Sequence, residues 1–135
     1  ECKDTTKPPR KIHLLPISKE ILEKYKGYLP KRSNQKQNKY RKEILEELGE
    51  CDIIYVSFDV DSMDPDEVSY GTGTPVQDGI TPDQAKNLLT VLLADPKVCC
   101  FEMVEVNPLL DKKGNKMAST ALSILEKAVY TLENR

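Results

Sequence analysis

Two aspartates, Asp59 and Asp61, directly continue an apolar, β-branched run, Ile53-Ile54-Tyr55-Val56-Ser57-Phe58. Such a run reads as a buried strand, and residues two apart on a strand share a face about 7 Å from one another. Two carboxylates that close repel, and one takes up a proton unless a cation neutralises them. The chemistry this spacing suits is coordination of a hard divalent cation by oxygen ligands. Asp64 and Asp66 follow in the same loop, where capping of turns and short helices accounts for either of them.

Other motifs built on the same residues fit less well. An EF-hand loop starting at Asp59 needs Asp or Asn at its fifth position, Gly at its sixth and Glu at its twelfth, where this chain has Met63, Asp64 and Tyr70. A haloacid-dehalogenase-like phosphotransferase also places Asp-x-Asp after an apolar strand but expects Thr or Val where Met63 stands, so it is kept as a distant alternative. The Gly71-Thr72-Gly73-Thr74-Pro75 turn has the composition of a phosphate cradle, but no Lys follows at P-loop spacing. Glu105 is the other notable acid, placed near the end of a second apolar run, Val98 to Val106. A carboxylate there can hold a guanidinium in a bidentate pair, or can serve a structural salt bridge.

The elements that must position these acids can be read along the chain. Residues 1–37 form a polar, basic lead-in, with a possible short strand over Lys11–Leu15 and a helix signature from Ser18 to Leu29, ended by Pro30. A second helix is expected from Asn38 to Leu48, with Gly49 as its C-cap. The strand over 53–58 is expected to be covered on both faces, as in a parallel sheet. A long loop, Asp59 to Ile80, separates it from a helix opened by Thr81-Pro82-Asp83-Gln84, a capping-box signature, and stopped by Asp95-Pro96. After the strand over 98–106 comes a last helix from Lys116 to Glu133, with Met117, Ala121, Ile124, Leu125, Ala128 and Leu132 at helical spacing. Strand, helix, strand, helix implies an α/β fold: a parallel sheet flanked by helices, whose site lies at the C-terminal strand ends.

Composition narrows the classes. The chain has 135 residues, 39% apolar and 31% charged, and no Trp. No apolar run approaches the roughly 18–20 residues of a membrane span, and the first ten residues lack the apolar core of a signal peptide. Membrane association is therefore not expected. Residues 1–50 carry 13 Lys/Arg against 8 Asp/Glu, and residues 51–135 carry 7 against 14. The basic half is mixed in sign, as in a solvated helix face, so nucleic acid is not an expected partner. With one His, His13, four dispersed Cys and no Cys-x-x-Cys, a zinc site is not expected; reduced thiols in the cytoplasm are the simplest reading.

Three segments in order, SFDVDSMDP, GTGTP and FEMVEVNPLLD, resemble the arginase and agmatinase family, the ureohydrolases, and GNKMASTALSILE resembles the helix that follows in the arginase branch. The resemblance implies that residues 38–135 are the C-terminal part of an arginase-like α/β domain. It implies two Mn²⁺ ions that activate water toward a guanidinium carbon, with Asp59 bridging both ions and Asp61 binding one. Glu105 would pair with the substrate guanidinium, and Thr74 would lie beside the substrate pocket. No general catalytic residue of the family maps onto this chain. The family's GGDH-like and DAHxD-like motifs do not occur, and His13, in KIHLLP, matches neither. The implied activity is hydrolysis of L-arginine to ornithine and urea by a longer, cytoplasmic, homo-oligomeric chain, the 135 residues alone being inert. Agmatine or another guanidine, or a non-catalytic module of the same fold, are the alternatives.

Overall fold

The computed structural model describes the backbone of residues 12–17, residues 46, 48 and 49, and the continuous stretch 51–135. Strands β1 (Ile12–Ile17), β2 (Ile53–Asp59) and β3 (Val98–Val104) form a parallel sheet in the order β1-β2-β3. The expected parallel α/β arrangement is thus present, and the strand anticipated near Lys11–Leu15 is β1. The helix expected over Ser18–Leu29 and most of the one over Asn38–Leu48 lie outside the described residues. At the end of the latter, Leu48 is buried and the Gly49 amide donates to the Glu46 carbonyl at 3.1 Å.

Helix α1 (Pro65–Val68) is a single turn, α2 (Pro82–Leu93) connects β2 to β3, and α3 (Lys116–Glu133) follows β3. The ends of α2 follow from its sequence. The Thr81 hydroxyl accepts from the Gln84 amide at 3.2 Å, the Gln84 side chain accepts from the Thr81 amide at 2.9 Å, and Pro82 occupies the first turn. Apolar Ala85, Leu88, Leu89, Leu92 and Leu93 recur at helical spacing and are buried. On α3 the buried positions are Met117, Ala121, Ile124, Ala128 and Thr131, whereas Leu125, expected inside, is exposed.

Among the described residues the fully buried core lies on one side of the sheet. Ile54, Val56 and Phe58 of β2 are buried with Val98, and Phe101 and Met103 of β3 pack against the same cluster as α2 and α3. The alternate β2 residues Ile53, Tyr55, Ser57 and Asp59 are only partly buried. Among the described residues this departs from the expected strand covered evenly on both faces: β2 alternates, and its partly buried second face carries Tyr55, Ser57 and Asp59 opposite Cys100, Glu102 and Val104. There Glu102 accepts from the Ser57 hydroxyl at 2.7 Å, and its bond with Tyr55 pushes the phenol up to about 12. Cys51, Cys99 and Cys100 are free thiols.

The connection from Asp59 to Ile80 is more ordered than a plain loop. A 3-10 turn, Val60–Ser62, is followed by α1, and the segment closes on itself through a parallel bridge between Met63 and Ile80. The Val76 amide donates to the Asp61 carbonyl at 3.0 Å, and the Ile80 amide to the Ser62 carbonyl at 3.0 Å. Gly79 makes this closure possible: a Cβ there would stand 2.4 Å from the Ser62 carbonyl oxygen.

Candidate active site

Asp59 is the last residue of β2, so its carboxyl emerges at the C-terminal edge of the sheet. The strand stops there, and Asp61 sits in the following 3-10 turn. The pair is therefore organised by a turn and not by strand periodicity: the Asp61 amide donates to Asp59 Oδ1 at 2.8 Å. Burial pushes the Asp59 carboxyl above its ordinary range; the Asp61 amide pulls it down, and the Asp61 carboxylate adds to the rise.

Asp61 is held from the opposite side by the Gly-Thr turn. The Thr72 hydroxyl donates to Asp61 Oδ1, and the Thr74 hydroxyl to Oδ2. The Thr74 amide also points at Oδ1, at 3.5 Å. Thr72 is buried and Thr74 exposed. A turn whose hydroxyls hold a carboxylate sets a like charge beside any phosphate and so suits one poorly. Thr72 was not among the expected site residues, although its two-residue spacing from Thr74 was visible in the sequence. The neighbouring acids have the local roles open to them: Asp64 accepts from the Asp66 amide at 3.0 Å as the cap of α1, and Asp66 accepts from Gln77 Nε2 at 2.7 Å.

Glu105 follows β3 by one residue, at the same edge: Asp59 pairs in register with Val104. Strand β3 ends two residues earlier than expected, at Val104, because Glu105 adopts a left-handed backbone, φ 68°. Its side chain is exposed and has no hydrogen-bond or charge partner among the described residues. A non-glycine residue held there without local compensation is the kind of backbone feature that clusters at functional sites. His13, by contrast, stands opposite Ile54 in the register, about 16 Å below the level of Asp59.

The donor set suits a hard cation in part. Asp59 and Asp61 are tied together by the Asp61 amide, and the Asp59 carboxyl, raised first by burial and further by the Asp61 charge, is one whose anionic form a bound cation favours. Among the described residues no group of three or more His, Cys, Asp or Glu side chains comes together as a complete ligand shell. The two aspartates offer only part of the ligand set such a shell needs.

The sequence model of the Arginase family matches residues 22–130. The chain belongs to the arginase family. It is 38% identical over 84 residues to the arginase of Bacillus subtilis (strain 168), an overlap of 62% of this chain and 28% of that protein. It is 38% identical over 73 residues to the mitochondrial agmatinase of Gallus gallus, covering 54% of this chain and 21% of that one. The crystal structure of Helicobacter pylori arginase superposes with a TM-score of 0.65 at 30% identity, over 70% of this chain and 32% of that chain. This arginase-family chain thus spans less than a third of the length of these relatives, and the family match begins in the segment before residue 38. Membership in this family displaces the haloacid-dehalogenase-like alternative.

Proposed function

We propose that this chain contributes part of a metal-dependent ureohydrolase centre that cleaves a guanidinium group, L-arginine being the favoured substrate. The observation that carries the reading is the placement, at one sheet edge, of a turn-organised carboxylate pair and, one residue beyond the adjacent strand, a carboxylate without a partner among the described residues. Asp59 and Asp61 would hold Mn²⁺, with the remaining ligands supplied from outside the described residues. When bound, such a metal pair supplies Lewis acidity that makes water a nucleophile near neutral pH.

The chain's own residues have separable tasks in this reading. Asp59 offers one oxygen to the Asp61 amide and keeps Oδ2 for an ion. Thr72 and Thr74 fix the plane of the Asp61 carboxylate, which limits the directions from which it can bind. Glu105 presents a carboxylate, unengaged among the described residues, that can take a planar guanidinium through two parallel charge-assisted bonds. The left-handed backbone at Glu105 takes the chain out of the ladder, and the Asn107 amide ties the following segment to the Gly71 carbonyl at 2.8 Å.

The matched relatives include proteins named arginase and agmatinase, so the substrate is chosen by assay. The complete protein, loaded with Mn²⁺, is offered L-arginine, agmatine and guanidino acids, and urea is measured. Release of urea with L-arginine preferred supports the reading. Preference for agmatine or a guanidino acid keeps the ureohydrolase reading and replaces the substrate. Absence of urea from every guanidine, in protein that carries its metal, overturns it in favour of a non-catalytic module.

A further inference from the structure

Asp111 lies in the turn after the 3-10 segment Pro108–Leu110, outside the group of residues assigned to the site. Its carboxylate is nonetheless the junction of three segments. Asp111 Oδ1 accepts from the Ser69 hydroxyl at 2.6 Å and from the Lys113 amide at 2.8 Å. Oδ2 accepts from the Met117 amide at 2.8 Å, closing the first turn of α3, whose N-cap residue Asn115 has no side-chain capping bond. The Ser69 bond above all holds the Asp111 carboxyl below its ordinary range, so the group stays an anionic acceptor.

Ser69 is fully buried and adopts φ 109°, ψ 172°, a conformation that belongs almost entirely to glycine. Strain of that kind persists only when its surroundings over-determine it. The side-chain partner visible for it is Asp111. Beyond Ser69 the chain runs against α3: a Cβ on Gly71 would stand 2.4 Å from Met117 Cβ. The next residues are Thr72 and Thr74, whose hydroxyls hold Asp61.

We propose that Asp111 is a positioning residue of the site: through Ser69 it anchors the 69–74 loop to the start of α3, so that Thr72 and Thr74 hold the Asp61 carboxylate in a single orientation. The inference rests on the reading of Asp61 as a metal ligand. It goes beyond that reading by giving the loop a tether remote from the metal. It also gives the serine a role at a position where glycine would relax the backbone.

The test uses the complete protein with the variants Ser69→Gly, Asp111→Asn and Asp61→Ala, measuring Mn²⁺ affinity by titration and the melting temperature of the metal-free form. Ser69→Gly removes the tether while relieving the strained φ, so the metal-free protein should melt at or above the parent temperature. Its affinity for the ion that Asp61→Ala loses should fall by about 10- to 100-fold, as for other supports of metal ligands. Asp111→Asn retains an acceptor for the Met117 amide and can still bond Ser69, so its loss should be smaller. A Ser69→Gly protein that binds both ions with parent affinity, while Asp61→Ala loses one, overturns the inference and leaves the metal reading standing. An Asp61→Ala protein that keeps both ions at parent affinity overturns both.

Discussion

Asp59–Asp61 and Glu105 leave adjacent strands at the same edge of the sheet, yet their surroundings are opposite. The aspartate pair is held on every side. One carboxylate receives a backbone amide, the other two threonine hydroxyls, and the 59–80 segment is closed by its own bridge and by Gly79. Glu105 is exposed, in a left-handed backbone, with no partner among the described residues. Ligands of an ion must converge before the ion arrives, because two carboxylates do not converge spontaneously. A carboxylate that is to take a guanidinium, as proposed for Glu105, is better left open, since any resident partner would have to be displaced. Glu102, three residues earlier, shows the alternative: it is engaged by Ser57 and Tyr55, and is thereby spoken for.

This contrast can be broken most strongly at Glu105. Glu105→Gln in the complete protein should lower kcat/KM by roughly 10- to 150-fold, the worth of a charge-assisted pair, with Mn²⁺ content unchanged. Glu105→Gly should lose activity at least as far while melting no lower than the parent, since glycine adopts the positive φ freely. A melting temperature that falls with kcat/KM unchanged would make Glu105 a structural residue and remove the contrast.

The aspartate side should respond in the opposite currency. Gly79→Ala places a methyl group against backbone atoms of Ser62, Met63 and Asp64, which cannot step aside as a side-chain tip would. The expected loss is about 1–3 kcal/mol of stability, read as a lower melting temperature together with weaker Mn²⁺ binding. Unchanged stability would mean that the closure of the 59–80 segment is soft.

The smallest effect sharpens the electrostatic half of the comparison. Because burial raises the Asp59 carboxyl in the folded protein, the folded chain binds its proton more tightly than the unfolded chain does. Stability of the metal-free protein therefore falls as pH rises from the ordinary carboxylate range through the raised value, and stays lower above it. Asp59→Asn keeps an acceptor for the Asp61 amide and cannot ionise. The metal-free variant should melt above the parent near neutral pH, with the gain vanishing below about pH 4. A gain independent of pH would assign the effect to packing.

Much of this arrangement was legible in the sequence, and the limits are physical. The boundaries of α2 could be read because a capping box and a proline are local signals. The parallel sheet followed from two apolar runs separated by a helix signature, and the position of the Asp pair from the acids that continue the first run. The one-sided burial of β2 was not legible, since an unbroken apolar run does not reveal which alternate residues meet the helices. The early end of β3 was hidden too, because nothing in Glu-Val-Asn-Pro announces a left-handed glutamate. Thr72, Ser69 and Asp111 were missed because their roles arise only when segments about 11 and 42 residues apart in sequence come together. His13 could be discounted by motif alone, and the register of β1 agrees, keeping it at the far end of the sheet.

The claim on which the rest depends is that Asp59 and Asp61 hold metal ions with unequal responsibilities. The direct measurement is the Mn²⁺ content of the complete protein by elemental analysis, beside Asp59→Ala and Asp61→Ala, each checked for a parent-like fold by circular dichroism. The account expects two ions per chain in the parent, one in Asp61→Ala, and fewer than one in Asp59→Ala, because a bridging ligand serves both ions and a terminal ligand one. Two ions retained in both variants would contradict it.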